Sequence, residues 1–383
     1  LGYSPYLEPY LRGVLKPAKD AGVRIVANLG NANPLGGARK TLEIAKELGI
    51  EGLRVAVVLG DDLLGFMTAE DVAGLPTIEG VTIQGKEIVA ANAYLGARPV
   101  AEALTLGTDV VLVGRTTDAA LVLGPLIHEF GWTEDDWDRL AAGTLAGHLL
   151  ECGGQVTGGY FCDPDFKDVP GMDELGFPIG EISADGSIVI TKAENTGGLV
   201  TRATVTEQIL YEMHDPAAYL TPDVALDVTG VTLADDGKDR VRVVGAKGHP
   251  PPETLKVTVS ADGGWLGEAE LTYAGPNALA RANLAADIVR KRLASRGVKD
   301  PVRVEIVGAG AAFDNDYRLR AAVRTDDKAT AQYVNDEVLS LFCSGPAGGG
   351  GYRCSITGQV NTASVLVPRG PVEAQAKAEE VTA

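Results

Sequence analysis

Aromatic residues make up only 5% of this 383-residue chain, and histidine and cysteine occur four times each. With so few rings, the core must rest on Val, Leu, Ile and Ala. Cys152, Cys162, Cys343 and Cys354 stand in no C-x-x-C spacing, which excludes a disulfide framework and predicts reduced thiols in a cytoplasmic protein. No uninterrupted apolar run reaches about 18 residues and no basic leader precedes an apolar stretch, so neither a spanning helix nor a signal peptide is expected. Cations are also scarce: 34 Lys and Arg face 52 Asp and Glu, a formal net charge of −18. That excess repels phosphate backbones and anionic membrane surfaces, which argues against nucleic-acid and membrane partners. An anionic small molecule remains open where an Arg or backbone N–H groups reverse the field inside one pocket. Leu1-Gly2-Tyr3 has no initiating Met and leads straight into a helix, so a missing N-terminal piece is expected.

What is present is an ordinary globular composition, 45% hydrophobic with 48 Gly and 20 Pro, long enough for two domains. Tyr3, Tyr6, Leu7, Tyr10, Leu11, Val14 and Leu15 form a helical stripe over residues 4–20, closed by Gly22. Strands follow at 23–27, 53–59, 88–91 and 109–113, with helices near 37–48 and 98–106. This alternation predicts βαβ units in an α/β domain with a parallel sheet, over residues 1–225. Each strand runs into a polar, glycine-containing loop, where ligands of such sheets bind. Helices near 118–129 and 134–150, the second opened by Thr133-x-x-Asp136, lead to a Gly-rich stretch over 151–200. So long a stretch with little regular structure implies a site or a subunit contact.

After residue 226 the texture changes to strands near 228–233, 240–245, 255–260 and 266–273. A helix over 277–296, strands near 302–307 and 318–325, a helix near 328–342 and a strand near 362–367 complete a smaller α+β domain over 226–370. The Ala-, Glu- and Lys-rich tail, 371–383, reads as flexible.

The candidate site is assembled from the strand-end loops. Asn28, Gly30, Asn31 and Asn33 share one loop. The asparagines suit turns and helix caps, but equally the binding of a carboxylate, carbonyl or hydroxyl. Asn92 ends another strand. Arg115 and Thr116 follow the most apolar strand, where a guanidinium can pair bidentately with a carboxylate or phosphate. The competing reading is a structural ion pair from Arg115 to Asp61, Asp62 or Glu151. Asp62, Asp118 and Glu151 are the candidate acids or bases. Glu151 ends a helix, where the dipole disfavours an acid, and that placement suggests a task. Asp118 could equally be a helix cap, and Glu151 merely exposed. Gln155 heads the Gly-rich stretch as a further binding residue.

Other chemistry finds less support. Asp61-Asp62 with Asp118 could hold a divalent cation, yet no His-x-His or acidic triplet accompanies them, so no metal ligand is assigned. No cofactor motif appears, so the cofactor is unknown. His148 shares a helix face with Trp137, Leu140 and Ala141 and reads as a packed core residue. Cys152 has no obvious partner base, and no G-x-S-x-G elbow occurs. Gly308-Ala309-Gly310 lacks a following helix with a third Gly, and the Gly345–Gly351 run lacks the Lys and Ser/Thr of a P-loop; it reads as a connector.

Several blocks taken together carry a resemblance. Asn92-Ala93-Tyr94-Leu95-Gly96-Ala97, Gly114-Arg115-Thr116-Thr117-Asp118-Ala119-Ala120-Leu121 and Gly143–Gly153 with His148-Leu149-Leu150-Glu151-Cys152 resemble the acyclic terpene utilisation family, AtuA-like. So do Gly158-Gly159-Tyr160-Phe161, Lys192, Gly197-Gly198, Glu207-Gln208, His214-Asp215-Pro216, Tyr219–Asp223 and Asp239-Arg240-Val241. The likeness spans most of residues 20–310. It implies a component of the breakdown of branched, acyclic terpenoid acids as coenzyme A thioesters, alongside acyl-CoA carboxylases and hydratases. It also implies a large N-terminal domain with a smaller, ferredoxin-like one, and an earlier strand with a Gly-rich loop that this chain lacks. The expectation is therefore an enzyme acting on a carboxylate or acyl-CoA-type intermediate, by hydration, elimination or hydrolysis. Its rival is a non-catalytic subunit that binds an acyl-CoA or an acyl-CoA carboxylase partner. A homo-oligomer is the ordinary expectation.

Overall fold

The computed structural model describes residues 2–308 and 316–382. Ala309 and Gly310 of the Gly308-Ala309-Gly310 run lie outside the described residues. The chain is a mixed α/β protein, with ten α-helices and several sheets among the described residues. None of these helices is long and apolar enough to cross a membrane.

In the first sheet, Ile25–Ala27, Val110–Val113 and Val55–Leu59 run parallel, with Val110 opposite both Ile25 and Val55. Val110–Val113 is buried throughout, as a strand covered on both faces must be. Leu7, Leu11 and Leu15 of helix Leu7–Ala21 pack with Ile44 of helix Pro34–Glu47 against Val57 and Leu112. Gly22 ends the first helix in the left-handed conformation, at φ 67°.

Two expectations about this sheet are corrected. Ile88–Ala93 does not join it but pairs with Thr254–Ala274. Its burial alternates, unlike that of the buried parallel strands. The tail carries regular structure: Arg369–Glu373 is helical, and Lys377–Val381 pairs antiparallel with Val55–Leu59, Val381 opposite Val55. Glu380 pairs with Arg54 at 2.8 Å. A composition that reads as a solvated tail here forms a charged edge strand, which blunts the sheet edge.

The chain divides into two compact units, Leu1–Val81 with Ala91–Thr258 and Ser364–Ala383, and Thr82–Ala90 with Val259–Ala363. The division expected at residue 226 therefore falls later. Pairing explains this: Thr232–Asp235 and Val241–Val244 extend a hairpin formed by Pro178–Ile182 and Ile188–Lys192. The same hairpin gives regular structure to the second half of the 151–200 stretch. Ile188, Ile190, Val241 and Val243 pack on Leu145 and Leu149 of helix Trp137–Leu150, most of which is buried.

In the second unit, the strands expected near 255–260 and 266–273 are one continuous strand, Thr254–Ala274, which begins in the first unit. The chain continues through helix Ala278–Ser295, strands Val302–Gly308 and Asp316–Thr325, helix Lys328–Ser344 and strand Gly349–Pro368. Asp316–Thr325 lies between Val302–Gly308 and Thr254–Ala274, antiparallel to both, and Gly349–Pro368 follows on the far side of Thr254–Ala274. Leu271, Tyr273, Val289, Leu319 and Val338 fill the core. Part of the Gly345–Gly351 run already belongs to the last strand, which starts at Gly349.

Candidate functional site

The strand-end loops of the first unit meet on Asp61, a residue the sequence offered as an ion-pair partner of Arg115 or, with Asp62 and Asp118, a cation ligand. Asp61 is 6% exposed. Its carboxylate accepts the Arg115 backbone N–H at 3.0 Å and Asn92 Nδ2–H at 2.9 Å, and its carbonyl accepts the Ala93 N–H at 2.7 Å. Burial pushes this carboxyl above its ordinary value, while the donated hydrogen bonds pull it back. Gly114 makes the junction possible. A Cβ there would stand 2.9 Å from both Asp61 carboxylate oxygens and 3.0 Å from the Asn31 carbonyl.

Much of the asparagine loop is engaged in turn and cap chemistry. Asn33 caps helix Pro34–Glu47, its Oδ1 accepting the Gly36 N–H at 2.9 Å. Gly30 O accepts the Asn33 N–H, and Asn31 adopts φ 44°. Asn28 and Asn31 are exposed. Asp62 likewise caps the short turn Leu63–Gly65, accepting the Leu64 N–H at 3.0 Å. Thr116 is buried and its hydroxyl donates to the Leu95 carbonyl at 2.7 Å, so that hydrogen is held by the main chain.

Arg115 differs from its neighbours. Its guanidinium lies 5.2 Å from the centre of the Tyr94 ring and forms no ion pair among the described residues, so none of the expected pairs to Asp61, Asp62 or Glu151 exists. Lys256 Nζ approaches the same ring at 5.5 Å. Two cations on one tyrosine, in a chain of net charge −18, form a local reversal of field.

Asp118 lies within charge reach of Arg115, and Glu151 and Glu212 within charge reach of Asp118. Asp118 is pushed up by burial and by the Glu212 charge, with Arg115 pulling the other way. Glu151 is pushed up chiefly by burial, held back by its hydrogen bond to His148, and raised further by Asp118 and Glu212. His148 is fully buried, as expected of a core residue, yet both ring nitrogens are engaged: Nδ1 lies 3.0 Å from Glu151 Oε1 and Nε2 3.2 Å from the Ile209 carbonyl. Gln208 Nε2–H donates to the His148 carbonyl at 2.9 Å. The Tyr219 ring lies 5.5 Å from the His148 ring, and burial with the surrounding carboxylates pushes its phenol up to about 12. Tyr219 is therefore a neutral hydroxyl. Burial also pushes the Cys152 thiol up, away from the thiolate a nucleophile needs.

Gln155 is not brought to these loops. It lines a hollow of about 220 Å³ with Tyr160, Phe161 and Tyr211. Among the described residues, no group of three or more His, Cys, Asp or Glu side chains is placed to hold a metal ion.

Sequence reasoning missed Tyr94, Glu212 and Tyr219 as site residues, and read His148 as core alone. The His148–Glu151 spacing of three residues on one helix was a usable signal. Glu212 holds φ 56°, a left-handed conformation that few non-glycine residues adopt and that nothing in its sequence announces.

Fold and site together describe an α/β protein with a cluster of acids around Arg115 and Asp118 after a strand of its first sheet. The chain belongs to the acyclic terpene utilisation family, protein AtuA, whose profile matches residues 1–378. That membership implies a role in acyclic terpene utilisation. No curated protein matches it. Among solved structures, a hydantoinase/carbamoylase family amidase from Burkholderia ambifaria is similar over 29% of this chain and 32% of its own, about a third of its length, at 15% identity and a TM-score of 0.18.

Proposed function

We propose that the chain is an enzyme acting on a carboxylate or acyl-CoA-type intermediate of acyclic terpenoid or branched-acid breakdown, by hydration, elimination or hydrolysis. The observation that supports this most is an Arg115 guanidinium without an ion pair among the described residues, within charge reach of Asp118, which in turn raises a Glu151 carboxyl already raised by burial. Arg115 anchors the anionic group. Asp118, its tip exposed but its carboxyl partly desolvated and raised, takes or gives the proton, and Glu151 with His148 supplies the second proton site. Asn28 and Asn31 on their loop, and Asn92 near the end of strand Ile88–Ala93, would position a carbonyl or hydroxyl. The first unit is read as the parallel-sheet domain of the family. The β-α-β-β-α-β order of the second unit supports a ferredoxin-like reading.

The test is turnover of branched free acids and their coenzyme A thioesters by the wild type and by Arg115→Ala, Asp118→Ala and Glu151→Ala. Loss of turnover in all three is expected. Unchanged turnover with lost complex formation overturns the enzyme reading. That outcome would favour a non-catalytic subunit bound to an acyl-CoA or a carboxylase partner, a reading supported by the exposure of Tyr160 (81%), Phe166 (85%) and Phe177 (72%).

A further inference from the structure

A hollow of the first unit lies outside the site just described. Leu95 and Gly96 form part of its wall, and Leu95 bridges to Thr116 in the Arg115–Thr117 loop. Its volume is about 450 Å³, within the usual range for small-molecule sites, and Ile127, Trp132, Leu140, Pro222, Pro252 and Leu255 make most of it apolar.

The charges around it are uneven. Glu134, Asp223, Glu253 and Glu373 face only Arg98 and Arg369. Both cations already have partners. Arg369 donates to the Pro252 and Pro222 carbonyls and to Glu373, and Arg98 pairs with Glu102 and Glu134. No cation is left for an anionic ligand.

Asp223 is the exception among the acids. Its Oδ1 accepts the Ala97 N–H at 2.8 Å, at the start of helix Arg98–Thr105, where Ala97 offers no capping side chain of its own. Gly96 lets this carboxylate close in, since a Cβ there would stand 2.4 Å from Oδ1. Capping uses one oxygen. Oδ2 accepts no hydrogen bond from any described residue and belongs to a side chain that lines the cavity. Asp223 is partly buried, so Oδ2 is an acceptor open to the hollow, and desolvation by the surrounding protein pushes its carboxyl up to about 6.

We propose that this cavity binds a compact, branched apolar molecule with a hydrogen-bond-donor head, a primary alcohol or ammonium, which donates to Asp223 Oδ2. The apolar wall takes the hydrocarbon, and the head supplies the donor that the protein does not. A carboxylate of the same shape is excluded by the surrounding acids.

Three isosteric probes test this on the full chain: 3-methylbutan-1-ol, 3-methylbutylamine and 3-methylbutanoate. Binding is followed by ligand-detected NMR and by tryptophan fluorescence, because Trp132 lines the cavity. The alcohol and amine are expected to bind, and the carboxylate at least about tenfold more weakly, the cost of leaving a charged acceptor unmatched. Asp223→Asn, nearly isosteric, is expected to weaken the amine about tenfold, and Ala376→Trp to abolish binding by filling the wall. Arg115→Ala is expected to leave all three affinities unchanged, which separates this cavity from the proposed catalytic site. The carboxylate binding as tightly as the alcohol overturns the proposal. So does amine binding that Asp223→Asn leaves unchanged.

Discussion

His148 Nδ1 lies 3.0 Å from Glu151 Oε1 while its Nε2 lies 3.2 Å from the Ile209 carbonyl. A carbonyl only accepts, so Nε2 carries a hydrogen. Nδ1 and the carboxyl then share one proton, either as imidazolium with carboxylate or as neutral imidazole with carboxylic acid. Long-range ¹H–¹⁵N spectra of the labelled protein are therefore expected to show Nε2 protonated throughout the pH range of the folded state. In Glu151→Gln the ring is expected to rest as the neutral Nε2–H form. A neutral Nδ1–H tautomer in the wild type contradicts the assignment.

Asp61→Ala removes the acceptor shared by the Arg115 N–H and Asn92 Nδ2. Each orphaned donor is part-buried and costs at most about 1–3 kcal/mol, so a loss on the order of 1–2 kcal/mol is expected in urea unfolding. Asp61→Asn keeps one acceptor oxygen and is expected to lose less. Equal unfolding midpoints for Asp61→Ala and wild type would refute the junction.

Asp223 links stability to pH. Its folded-state carboxyl is raised from the usual 3.8 to about 6, with burial first among the causes; Arg369 pulls it down, and Glu373 and Glu134 push it up. The folded chain thus holds this proton over a range where the unfolded chain has released it. The contribution is fully present below about pH 4 and is lost as pH rises to about 6, on the order of 3 kcal/mol in all. Asp223→Asn lacks it. Relative to the wild type, the variant is expected to gain stability between pH 4 and pH 7, read from thermal melts at both. A difference independent of pH would show that Asp223 does not titrate in this window.

Truncation after Ala376 removes Lys377–Val381 and the Arg54–Glu380 pair, leaving Val55–Leu59 as an open apolar edge. Lower melting temperature and self-association are expected, because an uncovered strand recruits another chain. Light scattering during a thermal ramp reads both effects. A truncated chain as stable and monodisperse as the full one would mean that the strand contributes nothing.

The helices and most strands followed from local pattern. The stripe at Leu7, Leu11 and Leu15, the unbroken run Val110–Val113, and the turn residues at 28–34 and 114–118 each express a period or a backbone preference carried by neighbouring residues. The loops of the candidate site were legible for the same reason. Strand partners were not. Nothing within Ile88–Ala93 says that it pairs with Thr254–Ala274, and nothing in the tail says that Lys377 will stand opposite Leu59, because pairing is settled between segments far apart in the chain.

The same distinction holds for the chemistry. From its own neighbours, Arg115 could be an anion anchor or half of an ion pair; only the fold left it on Tyr94 with no ion pair among the described residues. Glu151 was visible as an odd acid at a helix end, and its raised state came from burial and from Asp118 and Glu212. Asp61 and Asp223 looked like ordinary loop acids. Composition and local pattern determined an acidic α/β chain with polar loops after its strands. Tertiary structure alone decided which acids lost their water, and loss of water is what moves a carboxyl's proton affinity.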